Sequence, residues 1–171
     1  MRKVKQFEVF GVVYENLQMP AVEAFGLIDY ITLAEPEEML RYCSVVKYDG
    51  SKVALNKKTI DKEVKDVLGY VPAKAVLSAI MQVVIDHNFG FLQEWKGAKI
   101  PSRFVSSGHT EKSTYMEPII AQIVTANLVQ YKDLETYYSL FDAFSMFDAL
   151  LIKSLNEAYA SEAAAKEAKN R

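Results

Sequence analysis

Two histidines and one cysteine are the side chains of this chain best suited to metal binding or nucleophilic chemistry. His87 lies among apolar residues of a predicted helix, and His109 follows twenty-two positions later in a polar segment. Zinc sites use closely spaced His and Cys ligands, and the sequence has neither an HExxH nor a CxxC pattern. Cys43 is the single cysteine, and nothing beside it in the sequence marks a reactive thiol. The sequence therefore predicts no metal site, no cysteine nucleophile and no disulfide.

A pair of carboxylates is the other arrangement that could do chemistry. Asp142 and Asp148 fall near one face of a predicted helix, with Glu135 a turn or two away, and paired carboxylates can serve as general acid and base. The same residues, with Ser139 and Ser145, form the polar stripe of an otherwise apolar helix, which is the simpler interpretation. The sequence also has no GxSxG elbow. We predict that the chain is not an enzyme and binds no cofactor.

The charge and composition limit the kinds of partner and the cellular locations that we expect for this protein. The chain has 171 residues, of which 50% are hydrophobic, and 20 basic against 22 acidic residues give a formal charge of −2. This balance disfavours nucleic acid as a partner, because such proteins usually carry a clustered basic face. The start of the chain lacks the apolar stretch of a signal peptide, and the longest purely apolar runs are far shorter than the roughly 20 residues of a membrane span. We expect a soluble, cytosolic protein.

Periodicity and turn residues predict a mainly α fold. We expect a single helical domain of about five to six helices, with a small N-terminal β-hairpin within residues 4–14 and a second short hairpin near residues 45–55, around Asp49-Gly50. The globular domain is predicted to span residues 1–157, followed by an Ala/Lys/Glu-rich helical or disordered tail at 158–171 that should fray in solvent. Five helices are predicted before the C-terminal helix, at 20–33, 36–42, 59–68, 72–95 and 118–130, and a long loop at 97–112 separates the last two.

The C-terminal helix, predicted over residues 134–155, is the most unusual element. It is apolar around most of its circumference, whereas an ordinary surface helix is apolar over about a third. Such a helix either lies at the centre of its own fold or presents an apolar face to another protein. The partner-binding candidates are its aromatic residues and the tryptophan beside the predicted loop: Tyr137, Tyr138, Phe141, Phe144 and Trp95.

Three segments carry a resemblance to a known family. The N-terminal FEVFGVVYENLQMPAVEAFGLIDYI, the C-terminal KDLETYYSLFDAFSMFDALLIKSLNEAY and, more weakly, FLQEWKGAKIP resemble segments of small bacteriophage tail assembly chaperones. The resemblance implies a small, mostly helical, non-enzymatic protein that acts in the host cell cytoplasm and is absent from the mature virion. It also implies two protein partners, the phage tape measure protein, which the chaperone coats, and the tail tube protein, which it helps to recruit.

Two alternatives remain open from the sequence. The chain could be a structural phage tail or baseplate component, with the apolar helix fixed in a permanent interface, or an uncharacterised helical protein-binding module. A homo-oligomer that buries leftover apolar surface is compatible with each of these functions.

Overall fold

The computed structural model describes residues 1–104, 111 and 113–169. Within these residues the protein is mixed α/β, 53% helical, with seven α-helices and a four-stranded antiparallel sheet. The mainly α prediction is therefore wrong. Both predicted hairpins are present, but they join edge to edge into one sheet, so strands form a full layer of the fold.

The sheet is a meander of four strands in sequence order: β1 Val4–Val9, β2 Val12–Leu17, β3 Cys43–Val46 and β4 Lys52–Ala54. The first hairpin turns at Phe10-Gly11, where φ is 49° and 79°. Positive φ at both central residues matches the right-handed twist of the strands, and glycine adopts it without strain. The pairing of β2 with β3, from Val13 opposite Val46 to Asn16 opposite Cys43, makes the two hairpins one sheet.

Most helices are shorter than their apolar periodicity predicts. Helix α4 is followed by the 3₁₀ turn Gly90–Gln93, and α1 is followed by the 3₁₀ turn Ile28–Tyr30. The predicted helix 59–68 keeps only one turn, because the Asp66 carboxylate accepts hydrogen bonds from the backbone N–H groups of residues 68, 70 and 71 and holds a loop there. The α-helices are α1 Ala21–Leu27, α2 Pro36–Met39, α3 Ile60–Glu63, α4 Ala73–Phe89, α5 Pro118–Thr125, α6 Tyr131–Thr136 and α7 Leu140–Lys169.

The predicted helix 134–155 is two helices, α6 and α7, with a break between them. Ser139 forms an isolated antiparallel bridge with Pro20, and the Ala21 N–H donates to the Tyr138 carbonyl oxygen at 2.8 Å. The Asp142 carboxylate accepts hydrogen bonds from the Ser139 N–H and hydroxyl, which caps the start of α7. Helix α7 then continues without interruption through residue 157 to Lys169.

The core lies where the helices meet one another and the inner face of the sheet. Helix α7 contacts α1, α4 and α5, and α4 also contacts β1 and α2. Fully buried side chains come from the sheet and from all these regions, among them Tyr14, Met19, Met39, Ile80, Ile120, Leu134 and Leu140. Helix α7 contributes its N-terminal part to this core: Leu140 and Ala143 are fully buried, and the partly buried Phe144, Met146 and Phe147 pack against the core.

Candidate partner-binding site

The break between α6 and α7 determines the positions of Tyr137 and Tyr138. The Tyr137 carbonyl oxygen accepts a hydrogen bond from the Arg2 N–H at 3.1 Å, and the Tyr138 carbonyl oxygen accepts one from the Ala21 N–H at 2.8 Å. These bonds hold residues 137–139, the linker between α6 and α7, against the N-terminal segment. The two rings meet edge to face with centroids 4.9 Å apart. Tyr138 packs against the core, whereas half of the Tyr137 surface is exposed (50%). The linker thus presents one tyrosine to solvent and uses the other for packing.

Four aromatic rings form a cluster where the start of α7 meets the segment that follows α4. Phe91 and Trp95 each contact Phe141 and Phe144 edge to face, with centroid distances between 5.3 and 5.9 Å. Phe144 also stacks on Phe25 of α1 at 5.5 Å, so it is the ring that ties the cluster to the core. These are the separations at which edge-to-face aromatic pairs are favourable. We refer to Phe91, Trp95, Phe141 and Phe144 as the aromatic cluster.

The outer side of the aromatic cluster is open to solvent. Phe141 is 40% exposed, and the Lys3 ammonium lies 5.8 Å from the centroid of its ring, within cation–π range. A cleft of about 370 Å³ adjoins the cluster and is lined by Phe91, Glu94, Trp95, Lys96, Phe141 and Asp148. An aromatic floor with charged residues at its edge is the usual composition of a protein-binding surface.

The five predicted site residues fall in two groups: Tyr137 and Tyr138 contact each other between α6 and α7, and Trp95 contacts Phe141 and Phe144 in the aromatic cluster. Phe91, Phe25 and Lys3 also contact these rings and were not predicted as site residues. Phe91 was recognisable, since it precedes Trp95 by four residues and therefore shares its helical face. No local pattern identifies Phe25 or Lys3, because their contacts with α7 join residues more than one hundred positions apart.

The carboxylates considered as an acid pair have separate structural roles. Asp142 caps α7 and accepts a hydrogen bond from the Met1 amino group at 2.6 Å. Burial opposes its ionisation, but these hydrogen bonds outweigh burial and hold the pKa of Asp142 below its usual range. Asp148 accepts a hydrogen bond from the Ala98 N–H at 2.5 Å. Each carboxylate therefore fixes a segment of backbone, at Ser139 and at Ala98 respectively.

The side chains considered as a nucleophile or as metal ligands do not form a site among the described residues. Cys43 is fully buried, and burial raises the pKa of its thiol to about 12. His87 Nδ1 lies 2.9 Å from Asn16 Oδ1, and His109 lies outside the described residues. In the described part of the chain, no group of three or more His, Cys, Asp and Glu side chains is arranged to hold a metal ion.

One helical stretch, Ala73–Gln93, is long and apolar enough by length and composition to cross a membrane. Its exposed positions include Ser78, Gln82 and Asp86, four residues apart, and Gln82 Nε2 donates to Asp86 Oδ1 at 2.9 Å. The opposite side carries Val76, Ile80 and Val84, which are fully buried in the core. A polar stripe opposite a buried apolar stripe is the pattern of a core helix that borders water.

Comparison of the chain with protein-family models, with curated proteins and with solved structures gives no match.

Proposed function

We propose that this protein is a non-enzymatic phage tail assembly chaperone that binds the tape measure protein through apolar helix faces and helps to recruit tail tube subunits. The observation that carries the proposal is the exposed aromatic surface at the start of α7. Tyr137 and Phe141 are each exposed by 40% or more, and the half-buried Trp95 contacts Phe141. The family resemblance of the N-terminal and C-terminal segments adds the identity of the partner.

An aromatic surface of this kind suits a long helical partner. Large aromatic side chains bury 150–250 Å² each, and a contiguous exposed group of them typically marks an interaction site. A tape measure protein is a long, largely helical polymer whose apolar stripes would aggregate until the tail tube encloses them. A rigid aromatic surface can cover part of such a stripe in the helix-in-groove manner, without an enclosed pocket.

Co-expression with the tape measure protein of the same phage tests this proposal. We expect Tyr137→Ser with Phe141→Ser to abolish co-purification, because each substitution removes exposed aromatic area near the start of α7. Tyr48→Ser is the matched control, since Tyr48 is fully exposed but lies in the loop between β3 and β4. Unchanged co-purification of the double variant would contradict the proposal, as would equal loss in the control.

The cellular location follows from the same proposal. A chaperone of the tape measure acts in the host cell cytoplasm and leaves before the tail is complete. Mass spectrometry of purified particles should therefore not detect it, whereas a structural tail or baseplate component would be present at a fixed copy number. Any homo-oligomer is expected to use apolar surface, so the Tyr137→Ser/Phe141→Ser variant should also be examined for its size in solution.

A further inference from the structure

A segment of the chain already covers part of the face of α7 that continues from the aromatic cluster. Residues 95–104, which we call the strap, run alongside α7 in the same direction. Trp95 contacts Phe141 and Phe144, the Ala98 N–H donates to Asp148 Oδ1 at 2.5 Å, and Phe104 meets Tyr159 with ring centroids 5.2 Å apart.

The helical positions that the strap contacts lie on one face. Residues 141, 148, 159 and 162 are separated by seven, eleven and three positions, which are close to whole numbers of turns at 3.6 residues per turn. From 141 to 162 this face is about 30 Å long at 1.5 Å per residue. Ile152 lies on the same face and is 46% exposed, so the strap leaves apolar surface uncovered. The face is thus long, continuous and only partly occupied.

Charge complementarity accompanies the contacts. Arg103 Nε lies 3.4 Å from Glu162 Oε2, and the Arg103 guanidinium carbon lies 5.4 Å from the centroid of the Tyr159 ring. The strap also carries Lys96 and Lys99, and the helix face carries the Asp148 and Glu162 carboxylates, of which Glu162 also pairs with Lys166 at 3.1 Å. The face of α7 is therefore built to accept aromatic and cationic groups together.

About half of the strap residues are exposed. Lys99, Ile100 and Arg103 are exposed, and clefts adjoin both of its ends. The cleft of about 370 Å³ borders Trp95, and a second cleft of about 410 Å³ is lined by Arg103, Tyr159, Glu162, Ala163 and Lys166. Gly97 permits the close turn beside Trp95, since a Cβ at this position would lie 2.8 Å from Trp95 Nε1. The strap has no fully buried residue, and such a segment can be displaced by a better-fitting one.

We propose that this face of α7 binds a partner segment that carries an aromatic residue followed, eight and nine residues later, by a basic–aromatic pair, and that the strap is the internal occupant which this segment displaces. The spacing is that of Trp95, Arg103 and Phe104, the strap residues whose side chains contact α7. The inference specifies the partner chemistry of the function proposed above and rests on it. Because the strap is tethered, it competes at high effective concentration, and only a partner that makes further contacts, for example with Ile152, replaces it.

A peptide with the sequence of residues 94–104, EWKGAKIPSRF, labelled at its N-terminus, is the probe. Its binding is measured by fluorescence anisotropy to the native chain and to Arg103→Ser/Phe104→Ser, which detaches the far end of the strap. We expect at least tenfold tighter binding to the detached variant, since its internal competitor is weakened. A peptide of the same composition in scrambled order is the control for non-specific attraction.

A third protein identifies the face. Adding Tyr159→Ser and Glu162→Ser to the detached variant removes the ring and the carboxylate that receive Phe104 and Arg103, so peptide binding should be lost. Both residues lie in the part of α7 beyond its buried first turn, and a helical circular dichroism spectrum checks that the fold is kept. Equal binding to native and detached protein, retained binding to the third protein, or no binding up to about 1 mM peptide, which corresponds to roughly −4 kcal/mol, would each overturn the inference.

The peptide assay contains no tape measure protein, so its result is independent of the phage partner. If the peptide shows no preference while co-purification with the tape measure depends on Tyr137 and Phe141, only the strap inference is rejected. If the peptide binds as expected while co-purification fails, the face of α7 is a binding surface and the tape measure is the wrong partner.

Discussion

The rings of Phe25 in α1 and Phe144 in α7 stack with centroids 5.5 Å apart and planes 14° from parallel. This stack, together with the edge-to-face contacts of Phe91 and Trp95, places Phe144 inside the packing of the domain. Phe141 is one turn earlier on α7 and shares the contacts with Phe91 and Trp95, but it lacks the stack on α1 and is 40% exposed. Of these two neighbouring phenylalanines, Phe144 thus belongs to the core and Phe141 to the surface.

The two phenylalanines should therefore respond differently to substitution. Phe144→Ser removes a ring packed on three others and is expected to cost about 3 kcal/mol, a fall in Tm of roughly 6–12 °C for a chain of this size. Phe141→Ser should cost less than half as much, because part of its ring already faces water. Thermal unfolding followed by circular dichroism measures both. Equal losses of stability would show that Phe141 is a core residue.

The hydroxyl of Tyr14 offers a second test. Tyr14 is fully buried in β2, and its hydroxyl oxygen has no hydrogen-bond partner among the described residues. Leaving a buried hydroxyl unpaired costs about 1–3 kcal/mol, so Tyr14→Phe should leave the free energy of unfolding unchanged or raise it by about 1 kcal/mol. Chemical denaturation at pH 7 measures the difference. A loss of more than about 1 kcal/mol would show that the hydroxyl has a stabilising partner.

Stability should also decline in alkaline solution. Burial raises the pKa of Tyr14 to about 12 and that of Cys43 to about 12, from ordinary values of 10.0 and 9.0. Because folding favours the protonated forms, their contribution is fully present below pH 9 and is lost as the pH rises towards 12. Tyr14→Phe and Cys43→Ala should each flatten this decline in denaturation experiments between pH 8 and pH 11. An unchanged slope in both variants would contradict the assignment.

Two glycines should respond in opposite directions to alanine. Gly26 lies within α1, and a Cβ there meets no atom within 4 Å, so Gly26→Ala should stabilise by about 0.5–1 kcal/mol. Gly11 has a φ of +79°, and a Cβ there would lie 3.3 Å from Val67 Cγ2. Gly11→Ala should therefore destabilise by about 1–2 kcal/mol, the cost of the left-handed conformation for an L-residue. Urea midpoints of the two variants, compared with the native chain, decide the signs.

The protonation state of His87 can be measured directly. Asn16 Nδ2 donates to the Tyr42 carbonyl oxygen at 3.2 Å, which leaves Asn16 Oδ1 to accept from His87 Nδ1 at 2.9 Å. His87 is therefore expected as the neutral Nδ1–H tautomer. Burial, together with the nearby Lys5 and Lys3, lowers the pKa of His87 below its ordinary value of 6.5. Nitrogen-15 NMR of the imidazole reports both the tautomer and the pKa, and a pKa above 6.5 would contradict the geometry.

The sign of the His87 effect on stability follows from the direction of that shift. Since the folded state disfavours the charged imidazole, the contribution is present above the unfolded pKa of about 6.5 and is lost as the pH falls through the lower folded pKa. His87→Gln should therefore make stability less dependent on pH between about 5 and 7. Its amide also keeps a donor near Asn16.

Local signals in the sequence were sufficient for the turns and for most helix positions. Asp49-Gly50 and the glycine at position 11 marked both hairpins, and Pro36 and Pro118 marked the first residues of α2 and α5. These signals depend on the backbone preferences of single residues, which act over a few positions. Of the proposed partner-binding surface, the sequence indicated the aromatic residues themselves. The spacing of these residues does not show which of them are core residues and which are surface residues.

Tertiary structure decided the fold class, the break between α6 and α7, and the location of the strap. Three contacts join residues between 33 and 119 positions apart. They are the pairing of Val13 with Val46, the bridge of Ser139 with Pro20 and the hydrogen bond from Ala98 to Asp148. No local pattern specifies such contacts, because they form only when distant segments are packed together and the gain in buried surface and hydrogen bonds exceeds the entropy lost. The sequence by itself determined a chain rich in amphipathic helices with one unusually apolar C-terminal segment. Packing determined which side of this segment is core, with Leu140, Ala143 and Phe144, and left Phe141 partly exposed. Packing also placed the strap along α7 from Phe141 to Glu162.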